Sequence, residues 1–82
     1  MDIKQLIRNR VVALAKSLGR DGRHIGDTDI LPATGLLDSA AILELILWVE
    51  SEFDLEIDQG DLSLDNFGSI EKMTAYIQAH KV

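Results

Sequence analysis

Apolar residues recur at helical spacing in three stretches of the chain, and the polar residues between them mark where each helix stops. In the first stretch Ile3, Ile7, Val11, Leu14 and Leu18 fall on one stripe with Leu6 at its edge, while Arg8, Asn9 and Lys16 fall away from it. Gly19 supplies the stop. The second stretch runs from about Ser39 to Phe53, where Ile42, Leu45, Ile46, Val49 and Phe53 form an arc that should face inward. In the third, Ile70, Met73 and Ile77 make the inner stripe, with Tyr76 and His80 flanking it. Ser69 caps this last helix and Glu71 suits its first turn, where the helix dipole favours negative charge.

Two segments lack this periodicity. Residues 20–37 carry Gly22, Gly26, Pro32 and Gly35 and read as a long loop, tacked to the core by Ile30, Leu31, Leu36 and Leu37. Within it Asp27-Thr28-Asp29 is placed to cap a short helical turn. A loop of this length in so small a domain calls for a reason. Residues 55–68 are acidic and interrupted by Gly60, and Leu62, Leu64 and Phe67 are expected to enter the core from a short helix. The pattern predicts an all-α fold, a small antiparallel bundle of three main helices and one short one, forming a single domain over residues 1–82.

Length and composition narrow the function. A chain of 82 residues buries only about 60% of its unfolded surface, which leaves no room for a deep enzyme cleft. There is no cysteine, so neither disulfides nor thiolate metal sites hold the fold. Residues 2–20 are charged throughout and fit neither a signal peptide nor a membrane span, so a cytoplasmic monomer is expected. The net charge of −6 is strongly segregated: residues 1–26 carry +4, and residues 27–68 carry eleven acids and no Lys or Arg. That middle would repel nucleic acid and attract basic protein surfaces.

The second helix is apolar on more than one face. Ala40, Leu43, Leu47 and Trp48 lie off its inner arc, on either side of Glu44, and full burial is hard to arrange in a domain this small. Its outer face is therefore a candidate docking surface. At its start, Asp38 is a good N-cap, which puts Ser39 in the first turn with its hydroxyl toward solvent. A phosphate on that hydroxyl would meet unpartnered amides and the positive end of the helix dipole. No catalytic triad suggests itself, because only His24 and His80 are available as bases and neither is near Ser39 in sequence. Acids at 54, 56, 58 and 65 take the spacing of a calcium-binding loop, but Gln59 stands where glycine is required and Asp65 where a glutamate is.

Taken together, the order of these segments resembles the acyl carrier proteins. The resemblance rests on the amphipathic first helix, the long loop, Gly35-Leu36-Leu37-Asp38-Ser39, Glu44-Leu45, Glu50-Ser51-Glu52-Phe53-Asp54, Phe67-Gly68-Ser69-Ile70-Glu71 and Tyr76-Ile77. It implies a non-catalytic carrier with 4′-phosphopantetheine, derived from coenzyme A, attached to Ser39. The arm's thiol would hold an acyl or aminoacyl group as a thioester. Asp38 would position the phosphopantetheinyl transferase, and Glu44 and Leu47, with Leu43, match positions that partner enzymes contact. Trp48 stands where family members often have a small residue, and would either widen that surface or fold over the first loop. Ala40-Ala41 replace the bulky residue that often follows the serine in fatty-acid carriers, and the leader is more similar to D-alanyl and other stand-alone carriers. The resemblance therefore implies a specialised carrier served by an adenylating ligase and a downstream transferase. Behind it stand a fatty-acid or polyketide carrier and, from another class, an acidic helical interaction domain without a prosthetic group.

Overall fold

Residues 2–80 are described by a computed structural model, the side chain of Leu64 excepted. Helix α1 (Ile3–Ser17) starts at Asp2, whose carboxylate accepts the Gln5 amide at 3.2 Å. It buries Ile7, Val11 and Leu14 as their spacing predicts, and Ala15 as well. Leu18 departs from the expectation and is 44% exposed. It is the C-cap, and the chain turns away immediately at Gly19, whose φ of +76° a side chain would resist.

The long loop contains a helix that periodicity could not reveal, α2 (Leu31–Thr34), with Pro32 in its first turn and Gly35 left-handed at its C-cap. Asp27 and Asp29 do not cap it, contrary to expectation; its N-cap is Ile30, with no side-chain hydrogen bond. Each acid has another partner. Asp29 Oδ2 accepts the Gly26 amide at 2.8 Å. Asp27 receives the Arg8 guanidinium, lies 3.7 Å from Lys4 Nζ, and accepts the Glu71 amide on its carbonyl at 2.9 Å. The Arg8 hydrogen bond holds the Asp27 carboxyl below its ordinary range. Asp27 thus joins the first helix, the loop and the start of the last helix. Leu31 and Leu37 are buried, together with Ile25.

Helix α3 (Ser39–Phe53) has the predicted bounds, and Ile42, Leu45, Ile46, Val49 and Phe53 are all buried along with Ala41. It ends at Asp54, in the left-handed region at φ 53°. A 3-10 turn (Gln59–Asp61) and a four-residue helix α4 (Leu64–Phe67) follow. Phe67 enters the core as predicted, but Leu62 does not and is 41% exposed. The Leu62 amide closes the 3-10 turn on the Gln59 carbonyl, and its side chain is left at the surface. The side chain of Leu64 lies outside the described residues. Polar bonds hold this segment down instead: Ile57 N–H donates to Glu50 Oε2 at 3.0 Å, Asn66 Nδ2 to the Asp61 carbonyl at 2.9 Å, and Tyr76 O–H to Asp61 Oδ2 at 2.8 Å.

Helix α5 (Ile70–His80) is capped by Ser69, whose Oγ accepts the Lys72 amide at 3.1 Å. Ile70, Met73, Tyr76 and Ile77 are buried, and Tyr76 lies between Phe67 and His80, at ring distances of 4.8 and 4.0 Å. The first helix packs on both the third and the last, so the core sits among the three long helices. Among the described residues there is no strand, no helix long and apolar enough to cross a membrane, and no group of three acids or histidines placed to share a metal ion.

Candidate functional site

The turn 35–38 delivers the chain into α3. Asp38, with extended backbone at φ −85° and ψ −179°, turns its Oδ1 to the Ala41 amide at 2.9 Å, and its carbonyl accepts the Ile42 amide at the same distance. Asp38 is therefore the N-cap its position predicts, and Ser39 is the first helical residue. Ser39 is exposed. Its own amide and that of Ala40 belong to the first turn, where a helix offers no internal acceptor. A phosphodiester on Ser39 Oγ would find those two amides and the positive helix end without displacing any contact. The site fits such a group.

Ser39, Leu43 and Leu47 succeed one another at four-residue spacing along one face of the helix. Leu43 is 51% exposed and Leu47 57%, so neither is core. Glu44 is exposed beside them. Trp48 is placed differently. It is half-buried, its ring meets Phe53 edge-on at 5.8 Å and 85°, and the Arg10 guanidinium lies 5.7 Å from its centre. The indole thus packs against α1 rather than over the loop, away from the face that carries Ser39. His80 stacks on Tyr76, and its Nδ1 lies 2.9 Å from the Tyr76 carbonyl. Neither histidine is hydrogen-bonded to Ser39 among the described residues.

Beside Ser39 a cavity of about 380 Å³ opens between α3 and the segment before α4. Ser39, Ile42, Leu43, Ile46, Leu62, Ser63 and Phe67 line it, with no charged side chain among them. Leu62 and Ser63 are site residues that the sequence did not disclose. They follow a glycine-broken acidic run with no periodicity, so nothing local assigns their faces.

Residues 11–77 match the sequence profile of the phosphopantetheine attachment site. This chain belongs to the phosphopantetheine-binding carrier protein family. It is similar to aminoacyl carrier protein 1 of Bradyrhizobium diazoefficiens, at 32% identity over 71 residues that cover 82% of this chain and 77% of that one. Aminoacyl carrier protein 2 of the same organism is also 32% identical, over 75 residues covering 87% of this chain and 82% of the relative. The cofactor of the carrier is covalently bound 4′-phosphopantetheine, and the reading as a group-less interaction domain falls away. Carriers of this family are in general non-catalytic and work with a phosphopantetheinyl transferase and with synthetases or transferases.

Proposed function

We propose that the chain is a stand-alone carrier that holds an aminoacyl group as a thioester on 4′-phosphopantetheine joined to Ser39 Oγ. The observation that carries this reading is the exposed Ser39 hydroxyl at the capped, amide-rich start of α3. The arm supplies a thiol to a chain that has no cysteine of its own. The protein's part is presentation. Asp38 fixes the first turn and positions the incoming transferase. Leu43 and Leu47 offer apolar contact to partner enzymes, and Glu44 a charge that draws basic surfaces toward the site. Trp48 supports this face from behind, by fixing α3 against α1.

The aminoacyl assignment rests on the two relatives and on the leader before Ser39. The cavity is compatible with it in one way. Its lining gives an α-ammonium no carboxylate to pair with, and burying an unpaired charge is strongly unfavourable, so the amino acid stays in solvent at the end of the arm. The same uncharged cavity is the single observation that favours an acyl chain as cargo instead. Incubating the loaded carrier with ATP and either an amino-acid-adenylating or a fatty-acid-adenylating ligase separates the two. We expect an amino-acid mass increment that hydroxylamine removes. Loading by the fatty-acid ligase alone would contradict the aminoacyl cargo.

A further inference from the structure

The turn that presents Ser39 is held by side chains. Among the described residues, the backbone–backbone bond on its upstream side joins the Gly35 amide to the Pro32 carbonyl, at 3.2 Å. At Leu36 both backbone polar groups are taken by side chains: the amide donates to Thr34 Oγ1 at 3.2 Å, and the carbonyl accepts from Arg20 Nη1 at 3.1 Å. Thr34 is itself fixed, donating to the Leu31 carbonyl at 2.7 Å. The loop carrying Arg20 is seated close beneath. A Cβ added at Gly22 would lie 3.3 Å from Ala15 Cβ, 3.6 Å from Val12 Cα and 3.7 Å from Leu36 Cδ1. Arg20 therefore reaches the turn from a loop that is itself packed on α1 and on Leu36. Leu37 then plunges into the core, and Asp38 caps α3.

We infer that Arg20 is a positioning residue for attachment of the prosthetic group, which by holding the Leu36 carbonyl fixes the turn 35–38 in the form that presents Ser39 to the transferase. The inference rests on the reading that Ser39 is the attached residue. In that step the bond from Ser39 Oγ to the phosphorus forms and the pyrophosphate link of coenzyme A breaks. Adenosine 3′,5′-bisphosphate leaves, and the serine proton passes to a base of the transferase. Nothing in it needs the Arg20 charge at phosphorus. What Arg20 contributes is the geometry of the nucleophile's turn, and a single-carbonyl bond of this kind can be restored by lysine.

The chain without its prosthetic group, as wild type, Arg20→Gln, Arg20→Lys and Arg23→Gln, tests this. Arg23 removes the same charge from the same loop but is bonded to Asp21, not to the turn. We expect Arg20→Gln to lower kcat for phosphopantetheinyl transfer about three- to tenfold, as loss of one exposed charged hydrogen bond would. Its KM and melting temperature should stay near wild type, and amide exchange should quicken at residues 36–39 alone. Arg20→Lys should recover most of the rate, and Arg23→Gln should load as wild type. Equal losses in Arg20→Gln and Arg23→Gln would overturn the proposal in favour of loop charge. Wild-type loading by Arg20→Gln, or faster exchange spread over the whole chain, would overturn it too. A group mapped to any residue other than Ser39 would instead refute Ser39 as the attachment site, while exchange at residues 36–39 would still report on the clamp.

Discussion

At the scale of single residues, Asp38 sets the geometry of the site: its carboxylate meets the Ala41 amide at 2.9 Å and leaves Ser39 as the first residue of α3. Asp38 and Ser39 are legible because an N-cap involves only the residues of one helical turn, and the bond from Asp38 to the Ala41 amide follows from their spacing. Arg20 was not legible, because its partner carbonyl lies sixteen residues away and is brought near only by the packing of a glycine loop. Tyr76 is a similar case. Its ring, expected to flank the inner stripe of α5, is buried, and its hydroxyl finds Asp61 across an irregular segment. Burial, then the hydrogen bond to Asp61, push the Tyr76 pKa up to about 12 from its ordinary 10.0. A group whose folded pKa is raised contributes stability that is complete below its unfolded pKa and disappears as pH climbs through the folded one. Urea midpoints measured between pH 9 and 12 should therefore fall more steeply above pH 10 for wild type than for Tyr76→Phe. Parallel curves would refute the buried phenol. Asp27 has the opposite sign: its contribution holds above the ordinary carboxylate value of 3.8 and is lost as the solution is acidified further.

Elements with sustained periodicity declared themselves, and the others did not. Helix α3 has its predicted bounds because five apolar residues repeat along one arc between a capping acid and a left-handed terminus. The short helix α2 spans four residues, about one turn, too few for any periodic signal, and its position follows from Pro32 and Gly35 rather than from the acids before it. Residues 55–67 are ordered by Glu50, Asp61 and Tyr76, and so Leu62, apolar by type, ends at the surface. The outer face of α3 carries Leu43, Glu44 and Leu47, all exposed. Glu44 is exposed and makes no ion pair among the described residues, so Glu44→Lys should change folding stability by no more than about 0.5 kcal/mol. Reversing a rim charge should nevertheless slow capture by a basic partner several-fold, with the difference shrinking as salt is raised. Stopped-flow transfer rates at two ionic strengths would show this. Identical rates at low salt would remove Glu44 from the docking face.

Over the whole molecule, the segregation of charge along the chain becomes a division of labour. The basic residues of the first third largely serve the fold: Arg8 and Lys4 hold Asp27, Arg10 lies over Trp48, and Arg20 holds the turn before Ser39. The acidic middle of the chain includes α3, with its exposed start and its two exposed leucines. Those contacts fix the first helix and its loop, while Ser39, Leu43 and Leu47 remain exposed on the outer face of α3. That arrangement has consequences only if the arm is attached where that face begins. Intact mass spectrometry after incubation with coenzyme A and a broad-specificity phosphopantetheinyl transferase, followed by peptide mapping, tests this most directly. One added phosphopantetheine is expected, carried by the peptide that contains Ser39, with no gain in a Ser39→Ala chain that melts as wild type does. An adduct on any other residue, or undiminished loading of Ser39→Ala, would contradict it.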